Sequence, residues 1–250
     1  MCIADHVERI LVIEHGSVTA PFTLPLYANG TPTLLFLSSK ATLEGKPTNY
    51  LTLFGQTVFP ETLVINNNFI LIAYFFKPFV LFSLFGLSAK ELTDYPVDLN
   101  LLHQEKANEL KERLLNTDSL NSMLALLDNY VFSLITKTKA ETQLIHYVTS
   151  VLSKNFSKER LLALQKELFI TERTFERMFQ KSIGVSPTLF RRISQFNSAF
   201  HQLQLRRFTK LTDIAFENGY TDQSHFIRTF REFTNITPKD YLHFGESNAE

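Results

Sequence analysis

The sequence predicts an α+β chain in which a β-rich first part is followed by an all-helical second part containing an internal duplication. Three observations carry this. Seven of the nine prolines fall in residues 1–98, among short apolar runs such as TLLFLSS, NYLTLFG and TLVINNNFILIAYFF, a texture of strands and turns. Between residues 97 and 183 there is neither Pro nor Gly, and Leu and Ala recur at helical spacing in LNLLHQEKANELKERLLN. Sliding the second part along itself by 51 residues places Phe175, Arg177 and Phe179 on Phe226, Arg228 and Phe230.

Taken in order, the first residues, MCIADHVERI, carry acids and no basic stretch leading into an apolar run, so no signal peptide is read there and a cytoplasmic protein is expected. FILIAYFFKPFVLFSLFGL, residues 69 to 87, is the one membrane candidate, but Lys77-Pro78 splits it below the ~20 apolar residues a spanning helix needs. A buried strand running into a short helix, with Pro78 at its first position, fits better, and no membrane partner is expected. The segment holds more aromatics than one buried sheet face requires. A small barrel either fills with such side chains or leaves room for one ligand, and both outcomes stay open.

From residue 99 two helices follow, the second, DSLNSMLALLDNYVFSLIT, with Asp118 as candidate N-cap. Leu101, Leu102, Leu110, Leu114, Leu115, Leu120, Leu124, Leu127 and Val131 supply an apolar stripe that either forms a homodimer contact or packs back on the β part. The polar stretch KTKA at 137–140 reads as the joint. The expected division is a regulatory or dimerisation domain over 1–136, β-rich to 98 and helical over 99–136, and a second domain over 140–243.

In that second domain each copy has a short apolar helix, a polar cap (Thr171 or Asp222) and a helix with an F-x-R-x-F core. A turn follows, and then a Ser186-Pro187 or Thr237-Pro238 that starts another helix. FRRISQFNSAFHQLQLRR, residues 190 to 207, connects the copies. A short helix, a tight turn and a second helix form a helix-turn-helix, whose second helix can enter the DNA major groove. An all-α bundle with a duplicated hairpin accounts equally for the phenylalanines, but not for an outward arginine at the same place in both copies.

Composition narrows the classes. Hydrophobic content of 44% and charged content of 20% describe a soluble globular chain. The single Cys2 excludes an intramolecular disulfide and a multi-cysteine zinc site. Residues 1–150 hold 10 Lys/Arg against 14 Asp/Glu, a balance of −4, and residues 151–250 hold 15 against 11, a balance of +4. A mildly basic second part is compatible with a polyanion partner. No G-x-S-x-G, glycine-rich phosphate loop or H-E-x-x-H occurs, so neither an enzyme nor a cofactor is expected.

The residues IAFENGYTDQSHFIRTFREFTNITPKDYL resemble, nearly position for position, the signature of AraC/XylS-type transcription regulators, and ITERTFERMFQKSIGVSPTLF resembles that family's first helix-turn-helix. The resemblance covers about 141–243. It implies a double helix-turn-helix domain on double-stranded DNA and an RNA polymerase partner. Departures are Gln165 and Phe169, where the family has Ala and Gly, Asn235 in place of a glycine, and Gln195 and Ser198, where Arg is frequent. The first 98 residues resemble the N-terminal domain of members from Bacteroidetes, which implies a small cupin-like β-barrel. No His occurs from 16 to 102, which speaks against a metal-dependent cupin enzyme.

A recognition helix reads base edges with outward side chains near its N-terminus. In the first copy these are Arg173, Glu176 and Arg177; in the second they are Gln223, Ser224, Ile227 and Arg228. Arg suits guanine, Glu the cytosine amino group, Gln adenine, and Ile a thymine methyl. Thr171, Lys181, Arg191, Arg192, His225 and Arg231 are expected at phosphates. The function expected is a sequence-specific regulator with a small-molecule effector in its first domain. The alternatives are a regulator whose first domain serves only dimerisation or protein contact, and a helical interaction protein that does not bind DNA.

Overall fold

A computed structural model describes residues 2–16, 20–135 and 143–247. The joint expected at 137–140 lies outside these.

The first part is built from two antiparallel sheets. Strands β1 (Val7–His15), β8 (Phe69–Phe76), β3 (Thr33–Leu37), β6 (Leu51–Phe54) and β9 (Val97–Asp98) lie side by side in that order. The second sheet has the order β2 (Phe22–Leu26), β7 (Glu61–Ile65), β4 (Ala41–Leu43), β5 (Lys46–Pro47). The small barrel expected from the sequence thus takes the form of two facing sheets.

The first sheet is covered on both sides, which is why TLLFL and FILIAYFF are apolar without alternation. Leu34, Phe36, Leu51, Leu53, Ile72, Tyr74 and Phe76 pack on helices α1 (Val80–Phe85), α2 (Gln104–Leu115) and α3 (Leu120–Ile135). Leu35, Leu37, Phe54, Leu71 and Ala73 turn the other way, against Leu43, Leu63 and Ile65 of the second sheet. About half of the aromatics that suggested a pocket are therefore accounted for by the helical cover. β8 does run into a short helix, but α1 begins at Val80, so Pro78 precedes the helix rather than opening it.

Leu110, Leu114, Leu127 and Val131 are buried against the β part, and Leu102, Leu120 and Leu124 pack on the same core. The apolar spacing that suggested a dimer contact is thereby mostly accounted for within the chain, with Leu101 and Leu115 left exposed. Ser119, not Asp118, caps α3, its Oγ accepting from Ser122 N at 3.4 Å.

The second part holds α4 (Gln143–Leu152), α5 (Lys158–Glu167), α6 (Glu172–Ile183), α7 (Pro187–Gln204), α8 (Leu211–Glu217), α9 (Gln223–Thr234) and α10 (Pro238–Ser247). Each unit has its own aromatic core: Phe175, Phe179 and Phe190 in the first, Phe196, Phe226, Phe230 and Phe233 in the second. The two parts touch. Thr93 Oγ1 donates to Gly184 O at 3.0 Å, Tyr27 sets its ring edge-on to Phe200 at 5.6 Å, and Ala28 shares a core with Ile193 and Phe196.

Candidate nucleic-acid interface and effector cavity

Local chemistry sets the start of each candidate recognition helix. Thr171 Oγ1 accepts from Thr174 N at 3.3 Å, and Asp222 Oδ1 accepts from His225 N at 2.7 Å, each satisfying a backbone donor that the first helical turn leaves open. Behind the caps, Phe175 and Phe179, and likewise Phe226 and Phe230, are fully buried. That fixes the rotation of α6 and α9 and turns the intervening positions outward.

Arg173, Glu176 and Arg177 on α6, and Ser224, Arg228 and Arg231 on α9, are exposed; Gln223 and Ile227 are half-buried. Gln223 Oε1 accepts from Thr212 Oγ1 at 2.9 Å, which ties the amide to α8. His225 is held locally, its Nδ1 3.1 Å from Thr221 Oγ1 and its ring edge-on to Tyr220 at 5.2 Å.

Three phosphate candidates are placed otherwise than expected. Arg191 is buried, its guanidinium turned inward to donate to the Phe156 carbonyl, and burial pushes its pKa down. It ties α7 to the segment before α5 and is not presented to DNA. Lys181 lies with Nζ 4.7 Å over the Phe82 ring of α1, so it faces the β part. Arg192 pairs with Glu232 at 2.5 Å and lies 5.5 Å from the Phe233 ring, bracing α7 on α9. Arg191→Ala is accordingly expected to lower stability by about 1–3 kcal/mol in chemical unfolding, because the Phe156 carbonyl loses a charged donor. The salt dependence of DNA binding should stay as it was.

Sequence reasoning did not anticipate the latch between α7 and α8. Gln195 Nε2 donates to Asn218 O at 3.0 Å, and Asn218 Nδ2 donates to Gln202 Oε1 at 2.7 Å and to Ile214 O at 2.9 Å. Gln195 therefore does interior work where the family resemblance implies a surface arginine. The first turn differs too. Phe169, with φ 51°, takes the left-handed position that Gly219, with φ 73°, holds in the second unit, and its side chain is 96% exposed. The first unit passes from this residue to its cap in one residue fewer.

Between the two sheets lies a cavity of about 670 Å³, within the range of small-molecule sites. Leu11, Leu24, Leu26, Leu35, Leu63, Leu71, Ala73 and Phe75 line it from the strands, while Asn197, Phe200, His201 and Gln204 close it from α7. The helix joining the two units is thus also a wall of the cavity. Among the described residues no group of His, Cys, Asp and Glu is arranged to hold a metal, and no helix is long and apolar enough to cross a membrane.

Residues 164–243 match a family model described as a helix-turn-helix domain. The fold as a whole is similar to that of ToxT from Vibrio cholerae. One ToxT structure superposes with a TM-score of 0.55 at 14% identity, covering 94% of this chain and 97% of that one. A second, bound to (E)-4-(8-methylnaphthalen-1-yl)but-3-enoic acid, gives 0.54 at 12% identity over 94% and 98%. A third, bound to an unsaturated fatty acid, gives 0.51 at 12% identity over 93% of each chain. No curated protein matches the chain in sequence.

Proposed function

We propose that this chain is a sequence-specific, DNA-binding transcription regulator whose output is set by an apolar small molecule held between its two sheets. The observation that carries the reading is the placement of α7. It separates two capped helices that present Arg177 and Arg228 at the same repeat position, and its other side walls the cavity. In this reading residues 140–243 bind DNA and residues 1–136 regulate. The carboxylic acids held by two of the similar structures support a ligand of that general kind. A ligand acts only by its differential affinity for two arrangements of the molecule, and contacts from both parts of the chain supply such a difference.

The base-reading set is Arg173, Glu176 and Arg177 on α6, and Gln223, Ser224, Ile227 and Arg228 on α9. Thr171, His225 and Arg231 remain beside them as phosphate candidates. With both helices in successive major grooves, selected DNA sites should show two blocks centred about one helical turn (~10 bp) apart. Arg177→Ala and Arg228→Ala should each cost roughly 1–3 kcal/mol and relax one base pair in its own block. Arg231→Ala should instead weaken all sequences alike and reduce the salt slope by about one unit. Equal losses on specific and random DNA for all three variants would remove the readout assignment. A single compact block, indifferent to changes in α9, would remove the two-groove arrangement.

A further inference from the structure

The cavity wall contains two hydroxyls without a partner. Thr31 and Thr33 are only 9% and 7% exposed, both line the cavity, and neither Oγ1 has a hydrogen-bond partner among the described residues. A buried hydroxyl left unpaired is costly, and neighbouring polar groups normally satisfy it. The strands around the cavity contribute mainly apolar side chains, Leu24, Leu35, Leu63 and Leu71 among them, with Glu8, Asn29 and Thr57 as further polar lining.

Register adds a charge to the same sheet face. Thr33 and Arg9 both pair with Phe75, from opposite sides of β8, so the three share one cross-strand row and one sheet face. The Arg9 guanidinium lies 4.1 Å from the centroid of the Phe75 ring. No ion pair engages it among the described residues. A planar cation on the sheet face that carries the Thr33 hydroxyl, with the Thr31 hydroxyl lining the same cavity, makes a donor set suited to a carboxylate. Asn197 and His201 of α7 line the same cavity, so a head group held there meets both parts of the chain.

We infer that Thr31, Thr33 and Arg9 form a head-group subsite for an aliphatic monocarboxylate whose hydrocarbon body lies between the sheets. The inference rests on the reading of the cavity as the effector site. It adds which end of the ligand goes where and which side chains choose it. Thr33 and Thr31 donate to the carboxylate oxygens, and Arg9 supplies the compensating charge.

The test uses the full chain and displacement of an environment-sensitive apolar dye by oleate, oleyl alcohol and methyl oleate. Oleate should compete best. Thr33→Val, which keeps shape and removes the hydroxyl, should weaken oleate about tenfold, the worth of one hydrogen bond to a charged group. The same change should leave the ligand-free protein as stable or raise its midpoint by about 2–4 °C, because an unpaired hydroxyl has been replaced by a methyl. Arg9→Gln, at an exposed position where folding is not at stake, should reduce the preference for oleate over oleyl alcohol and leave the alcohol unchanged. If the three compounds compete equally and the variants change nothing, the head-group subsite is wrong while the cavity reading stands. If neither dye nor any of the three binds, both fall.

Discussion

Phe230→Ala is expected to cost about 3–5 kcal/mol, the range for emptying a large aromatic from a packed core. The ring is fully buried and sits 5.6 Å from Phe196, 5.8 Å from Phe200 and from Phe226, and 6.1 Å from Tyr241. These neighbours come from α7, α9 and α10, so no single element can shift to fill the space. The loss is confined to the second unit, since the first has its separate core around Phe175 and Phe179. Chemical unfolding should show a weakened transition, and footprints should lose the block read by α9 before that read by α6. Uniform loss of both blocks would mean that the two units do not fold separately enough for this account.

Gly184→Ala is the second large effect, at roughly 2–5 kcal/mol from a left-handed backbone and an overpacked contact together. Gly184 ends α6 with φ 99°, a conformation L-residues rarely adopt. A Cβ there would lie 2.6 Å from Thr93 Oγ1 and 2.8 Å from the Ala89 carbonyl oxygen, both in the β part. Part of the strain is local and part lies between the two halves of the molecule. Adding Thr93→Gly to Gly184→Ala removes the hydroxyl but not the Ala89 carbonyl, so the double variant should recover only a fraction of the stability. Full recovery would show that both the Ala89 contact and backbone strain at Gly184 are negligible.

Much of the helical part is legible in the sequence because local rules govern it. Thr171, Asp222 and Ser186 cap helices because a side-chain oxygen three residues ahead of an open N–H needs nothing distant to act. Phe175/Phe179 and Phe226/Phe230 are readable as core from their four-residue spacing. The fate of the basic residues is not readable, because it depends on what packs beside them. Lys181 meets Phe82, about a hundred residues away in the chain, and Arg191 meets a carbonyl 35 residues back. The polar pair Thr31 and Thr33 leaves no trace at all in the apolar pattern, since a threonine in a bend or at a strand's start is ordinarily just that. Phe169 at a left-handed turn, almost wholly exposed, has no account in the packing around it.

The double duty of α7 carries an obligation that runs backwards. A helix of 18 residues, about 27 Å long at the usual rise, is one stiff body, and it cannot offer one position to the cavity and another to the helices it spaces. Binding free energies at two coupled sites are reciprocal: whatever factor an occupant of the cavity imposes on DNA affinity, DNA must impose on the occupant. A regulator seated on its operator is then, thermodynamically, a different receptor from the same chain free in solution. On the proposed reading, its hold on the small molecule changes on DNA by the same factor that the small molecule changes its hold on DNA.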